Sequence, residues 1–206
     1  PSTVAAAPDL PMAQDEIHTW GHAIQVRLVA ENPAAGWLPS TGTVREFEVF
    51  ASEHSDLDAA VAAGSVVSAE YDSLLMNVVQ SGPDRCTAAA RLYGSLAGAR
   101  VAGIRTNLAT MAAIVREPDF LAGNTTTAYL DEHPDVLTAG VPSDDDVTAH
   151  LLALAFADEH VARRGDRTTG FAPSGWRNLR TQGQRRAWSL DGAMHEIEYV
   201  VAGDGA

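Results

Sequence analysis

The chain has 206 residues, of which 46% are hydrophobic and 20% charged, which suits one soluble domain or one domain with an appendage. Its net charge of −13 and the absence of a basic stripe with interleaved aromatics exclude nucleic acid as an expected partner. All 14 basic residues are arginine, so no Schiff base, biotinylated lysine or phosphate-loop lysine can form.

Two further absences bear on location. No apolar run approaches the roughly 20 residues of a membrane span, and no charged-then-apolar leader opens the sequence. The single Cys86 excludes an intramolecular disulfide and suits a reducing compartment, so a cytoplasmic location is expected.

Residues 1–12 (PSTVAAAPDLPM) are small residues and prolines without period, and read as an arm or linker. The opening Pro1 is compatible with a gene product whose initiator Met has been removed, or with a trimmed piece of one. Between Ala23 and Ala30 the chain alternates, with Ile24, Val26, Leu28 and Ala30 on one face and Gln25, Arg27 and Val29 on the other. A period of two with β-branched residues and a stop at Pro33 predicts a strand. Arg27 thereby lies away from the most apolar face, where a guanidinium can meet an anion. Pro39-Ser40-Thr41-Gly42 predicts a turn.

Further strands are expected at 43–50, 65–69 and 73–80, separated by the polar, alanine-rich stretch 51–63. Two helices follow. The first begins near Pro83 and carries Ala88, Leu92, Leu96 and Ala99; the second runs from a Thr106 cap through Leu108, Met111, Ala112 and Val115 to Pro118. Helices after a run of strands predict an α+β fold, an antiparallel sheet covered by helices. Gly140 to Asp146 reads as a linker ending in a helix cap, with the aspartates Asp144, Asp145 and Asp146 at the positive end of a third helix over 147–163. Segments 186–190 and 194–201 around Asp191-Gly192 predict a β-hairpin.

The segment GHAIQVRLVAENP with Gly36-Trp37-Leu38-Pro39-Ser40-Thr41-Gly42 resembles the opening of the C-terminal subdomain of biotin carboxylase, the ATP-dependent component of acyl-CoA carboxylases. The likeness continues through Gly64-Ser65-Val66-Val67, Tyr71-Asp72-Ser73-Leu74-Leu75, Gly82-Pro83-Asp84-Arg85, the block Val101 to Asn107, Pro118 to Gly123, and Thr127 to Pro134. Phe171 to Leu179 (FAPSGWRNL) resembles the start of the domain that follows it in those carboxylases. This implies an arm or linker at 1–12, a biotin carboxylase C-terminal-like domain at 13–137, and a C-terminal helix and β-hairpin extension at 138–206.

The resemblance also implies site residues. The arginine of the GHAxxxRxxAE block sits over the biotin ureido group and stabilises the enolate formed in carboxylation; it maps onto Arg27. Tyr71 would wall the biotin pocket, Asp72 would accept a hydrogen bond beside it, and Gln25 would contact ligand; Glu31, four residues on along the same strand face by its own position, reads either as the residue that orients Arg27 or as a surface charge at the strand end. Asn77 stands where the family usually has lysine, Thr127 where it has an apolar contact to adenine, and 51–63 departs from its usual glycine-containing turn. The family's ATP-grasp portion, with its phosphate-contacting lysines and Mg²⁺-binding carboxylates, has no counterpart here. The chain is therefore expected to bind no cofactor alone, to meet biotin only in trans, and to be unable to use ATP by itself.

Three functions follow: a carboxylase component that contributes Arg27; a free-standing protein whose vacated biotin pocket binds another small molecule and catalyses a cofactor-free isomerisation or cyclisation of natural-product type; and a non-catalytic scaffold for carboxylase subunits. A homodimer is compatible with each. No HxH, HExxH or GxSxG spacing is present, so neither a metal site nor a hydrolase triad is predicted. His22 is expected to be structural, its ring satisfied by backbone.

Overall fold

The computed structural model describes residues 13–165, 183–190 and 192–200, so the 171–179 stretch lies outside the described residues. The chain divides into two units, meeting between Val141 and Pro142.

The first unit is built on the predicted strand. β1 (His22–Val29) is followed by the short pair β2 (Glu31–Asn32) and β3 (Leu38–Pro39), then β4 (Gly42–Thr43), β5 (Glu46–Glu48), β6 (Ser55–Ala59), β7 (Val66–Val67) and β8 (Leu74–Gly82). A helix α1 (Arg85–Gly98), a strand β9 (Arg100–Ala102) and three short helices, α2 (Leu108–Ile114), α3 (Pro118–Ala122) and α4 (Tyr129–Glu132), complete it. β1, β8 and β6 form one antiparallel sheet in that order, and smaller antiparallel pairs join β2 to β3, β4 to β7 and β5 to β9.

Side chains alternate across the sheet, so each register row belongs to one face. The rows Ile24–Gln80–Ser55, Val26–Val78–Leu57 and Leu28–Met76–Ala59 form the inner face. There Leu28 and Val78 are wholly buried, and α1 packs across β8 and β1 with Ala88, Ala89, Leu92 and Leu96 inward. The one large polar side chain on that face, Gln80, is satisfied: its amide donates to Ser95 Oγ at 2.7 Å, and Ser95 donates in turn to the Phe50 carbonyl at 3.1 Å. The rows Gln25–Val79–Asp56 and Arg27–Asn77–Asp58 form the outward face.

Two expectations shift in detail. The strand predicted over 43–50 is split because its neighbours change: Gly42–Thr43 pairs with β7, whereas Glu46–Glu48 pairs with β9. The crossing point is held by Gly103, at φ +100°, where a Cβ would stand 2.1 Å from the Thr43 carbonyl oxygen. Within the polar stretch 51–63, Ser55–Ala59 is a strand, paired to β8 over its length.

The helix starts are also sharper than the sequence reading. Asp84 caps α1, which leaves Pro83 ahead of the cap and outside the first turn; its carboxylate accepts from the Thr87 N–H at 2.8 Å and from the Thr87 hydroxyl at 3.0 Å. These two bonds hold the Asp84 carboxyl below the usual aspartate range. Thr106 Oγ accepts from the Leu108 N–H at 3.3 Å, while Asn107 occupies the cap position of α2 and spends its side chain elsewhere.

The second unit contains α5 (Asp144–Gly165) and a hairpin of β10 (Gln184–Leu190) with β11 (Ala193–Tyr199). Asp146 and Ser143 bond reciprocally at the start of α5, and the Ser143 bonds lower the Asp146 carboxyl. Tyr199 ties the hairpin to the helix, its ring 5.8 Å from that of Phe156 and its hydroxyl 3.5 Å from a Glu159 carboxylate oxygen.

Candidate functional site

The five residues singled out by the sequence fall into two groups. Gln25 and Arg27 stand on the outward face of β1, both exposed. Across the strand pair, Asn77 lies opposite Arg27, and the Gln25 amide donates to Asn77 Oδ1 at 3.2 Å. The Arg27 guanidinium has no hydrogen-bond or ion-pair partner among the described residues.

Glu31, Tyr71 and Asp72 form the second group, around a cavity of about 270 Å³ whose wall also includes Ser40, Thr41 and Ser73. A register shift between Leu28 and Val29 separates Glu31 from the regular alternation of β1. Its carboxylate accepts from Ser73 Oγ at 2.5 Å and makes no ion pair with Arg27. Tyr71 is 84% exposed and Asp72 is exposed, so both lie at the rim. Arg27 does not line this cavity.

One residue tied to Arg27 carries no role in the sequence reading. Asn107 is 3% exposed, and its Oδ1 accepts from the Val29 N–H at 2.9 Å while its Nδ2 donates to the Arg27 carbonyl at 3.0 Å. Its own N–H donates to the Val29 carbonyl at 3.2 Å. The asparagine thus replaces a missing strand along the end of β1 and fixes the backbone that carries Arg27. The signal was present in Arg105-Thr106-Asn107, but a side-chain amide that mimics a strand has no pattern in sequence.

His22 is half-buried, and its partner is a side chain, not backbone. Arg85 Nη1 lies 3.3 Å from His22 Nε2, and since a guanidinium only donates, Nε2 is the acceptor. Arg85 is itself fixed, with Nε donating to the Phe120 carbonyl at 2.7 Å and its guanidinium 4.5 Å above the Phe120 ring. His22 also borders an open cleft of about 630 Å³ with Trp20, His54 and Ser81. Among the described residues no group of His, Cys, Asp and Glu side chains has the arrangement of a metal site, and no helix is long and apolar enough to cross a membrane.

Residues 25–132 match the family model described as the biotin carboxylase C-terminal domain. Pyruvate carboxylase 1 of Caenorhabditis elegans is 38% identical over 129 residues, covering 62% of this chain and 11% of its own length. The biotin carboxylase of Halalkalibacterium halodurans is 34% identical over 139 residues, covering 68% of this chain and 30% of its own. Among solved structures, the biotin carboxylase domain dimer of Hydrogenobacter thermophilus 2-oxoglutarate carboxylase, in complex with MgADP, ADP and bicarbonate, superposes with a TM-score of 0.63 at 30% identity. That superposition covers 65% of this chain and 30% of the other. The chain spans about a third or less of the length of these relatives.

Proposed function

The chain belongs to the biotin carboxylase C-terminal domain family, and we propose that it serves a biotin-dependent carboxylase by presenting Arg27 to the ureido oxygen of biotin. The observation that carries this reading is the state of Arg27. It sits on a rigid strand, its backbone clamped by Asn107, with a guanidinium that no other described residue engages.

A guanidinium is planar, permanently charged and only donates, which suits a planar carbonyl oxygen that gains negative charge as the adjacent nitrogen is deprotonated. Asn77 adds to the fit. Its Oδ1 accepts from Gln25, and its N–H groups are the donors it can offer a ligand oxygen beside Arg27. Bound biotin supplies a nucleophilic ureido nitrogen. The contribution of this chain is to orient the ureido oxygen and to hold negative charge on it.

In this reading the ATP-dependent activation of bicarbonate belongs to an ATP-grasp portion outside the 206 residues, and the partners are carboxylase components, including a second copy of the domain. Glu31 does not orient Arg27 here; it anchors the Ser73 end of the cavity. The alternative in which Arg27, Tyr71 and Asp72 together polarise a carbonyl in a repurposed pocket draws no support from this geometry, because Tyr71 and Asp72 border a cavity that Arg27 does not line.

The test pairs the 206-residue protein with the separately expressed ATP-grasp portion of a biotin carboxylase and follows bicarbonate-dependent ADP release with biotin. Arg27→Gln should lower the biotin-stimulated rate about 10²-fold, the scale of losing one charge-stabilising donor, and leave the thermal midpoint unchanged. An unchanged rate in Arg27→Gln would remove the proposed role. Bicarbonate-dependent, biotin-stimulated ATPase activity of the 206-residue protein alone would remove the division of labour.

A further inference from the structure

The cleft of about 630 Å³ beside His22 has no part in the role given to Arg27. It opens at the end of the sheet where β1 begins and β8 ends, and neither Arg27, Gln25 nor Asn77 lines it. Its floor is low because backbone fills the space below. Register sets Ala23 opposite Ser81, and the glycines Gly21 and Gly82 stand beside them. A Cβ on Gly21, at φ +72°, would meet the Gly82 carbonyl oxygen at 2.8 Å, and one on Gly82 would meet the Ala88 nitrogen at 2.8 Å. The concavity is thus fixed by close packing of main chain.

The walls are rings. Trp20, at 92%, is the most exposed large apolar side chain among the described residues, and His54 and Pro83 close the cleft beside it. A flat ring laid on the indole would remove apolar area from water and add a stacking contact. No carboxylate, ammonium or guanidinium group is among the described lining residues, so charge pairing cannot select the occupant.

His22 gives the cleft its polarity. Arg85 donates to Nε2 at 3.3 Å and is itself anchored to the Phe120 carbonyl. An imidazole that accepts at Nε2 is neutral and carries its proton on Nδ1, which therefore donates. No described residue accepts from Nδ1. Ser81 supplies the opposite function: its hydroxyl donates to the His54 carbonyl at 3.2 Å, which leaves its oxygen free to accept.

We propose that this cleft binds an uncharged, flat heteroaromatic ring presenting an acceptor nitrogen beside an N–H group, stacked on Trp20 and hydrogen-bonded to His22 Nδ1. An anion would find no cation in the lining, and an aliphatic or purely hydrocarbon ligand would leave the Nδ1–H without an acceptor.

The probes are 7-azaindole and indole, which match in size and flatness and both carry an N–H, while only the first has an acceptor ring nitrogen. Each is titrated at millimolar concentrations into the isotopically labelled 206-residue protein, with the Trp20 indole N–H, the His22 ring nitrogens and the amides of Ala23, His54 and Ser81 followed by NMR. The wild type should bind 7-azaindole about threefold to tenfold more tightly than indole, the worth of one hydrogen bond. The His22 ring should show its proton on Nδ1, and that signal should move with 7-azaindole and not with indole. Trp20→Ala should weaken both probes about threefold to tenfold through lost stacking. His22→Phe should abolish the preference and keep indole binding, while His22→Gln, which can still accept from Arg85 and donate, should retain part of it.

Trp20 is a surface side chain, so its variant decides the site even if His22→Phe unfolds early in a thermal melt, and the ring-nitrogen signals decide the donor without any substitution. Equal affinity for the two probes, or a His22 proton on Nε2, would overturn the hydrogen-bond assignment and the proposal with it. Absence of shifts at Trp20, Ala23 and Ser81 with either probe, or unchanged affinity in Trp20→Ala, would overturn the site. None of these outcomes bears on Arg27, whose role stands or falls on its own rate assay.

Discussion

The two faces of the β1–β8–β6 sheet are made by the same strands, yet they are under different constraints. The inner face puts Leu28, Met76 and Val78 under α1 and satisfies its one long polar side chain through Ser95. The outward face puts Gln25, Arg27, Asn77, Asp56 and Asp58 toward solvent and leaves three of those charges without partners. A face filled by packing tolerates little change because every methylene has neighbours. A face of unpaired charges contributes little to stability, so what it retains points to a ligand or partner. The contrast holds only if damage to one face is felt as loss of fold and damage to the other as loss of recognition.

The largest effect is expected on the inner face. Leu28 is fully buried in the middle of the core cluster. Leu28→Ala should cost about 2–5 kcal/mol, enough to remove much of the stability of an ordinary domain. Urea unfolding followed by circular dichroism measures it. A loss no larger than that of Arg27→Gln, a surface change expected within about 0.5 kcal/mol, would break the distinction between the faces.

The inner face is also what the sequence showed most clearly. The alternation from Ile24 to Leu28 and the helical spacing of Ala88, Leu92 and Leu96 are periodic signals, and both survive intact because packing alone decides them. β6 was not legible: Ser-Asp-Leu-Asp-Ala has the right period, but aspartates disfavour strands, and its place comes from pairing with β8. The break in the 43–50 strand was equally hidden, since it reflects a change of partner from β7 to β9. Of the candidate site, Arg27 and Gln25 fell on one face by parity alone, but the separation of Glu31 from Arg27 depends on the register shift after Leu28, which no local pattern announces.

An intermediate effect should come from Asn107, which bonds to the backbone of β1 at the edge of the sheet. Asn107→Ala leaves the Val29 N–H and the Arg27 carbonyl without their side-chain partners, and unpaired backbone groups of this kind cost about 1–3 kcal/mol in total. The same change should loosen the β1 end that carries Arg27. Hydrogen exchange at the Val29 amide should therefore accelerate, and the biotin-stimulated rate measured with the ATP-grasp portion should fall severalfold, although the Asn107 side chain is spent on the β1 backbone. Lower stability with an unchanged biotin-stimulated rate would show that Arg27 does not need this clamp.

The smallest effect lies at Asp84, where the chain leaves the sheet and begins the helix that covers the inner face. The two Thr87 hydrogen bonds favour the ionised carboxylate, so its folded pKa lies below the ordinary aspartate value of 3.8. A carboxylate with a depressed folded pKa contributes stability that is fully present above the unfolded value and is lost as pH falls through the folded one. Asparagine caps helices about as well as aspartate but does not titrate. Asp84→Asn should thus differ little from wild type in the way other carboxylates affect acid stability, since those are common to both proteins. The difference between their thermal midpoints should be constant from pH 7 to about pH 5 and then move in favour of the variant as the pH falls below 3.8. A difference that stays constant down to pH 2 would mean that the Asp84–Thr87 bonds are not retained in solution. The start of the covering helix would then be set by Pro83 and the buried alanine and leucine stripe alone.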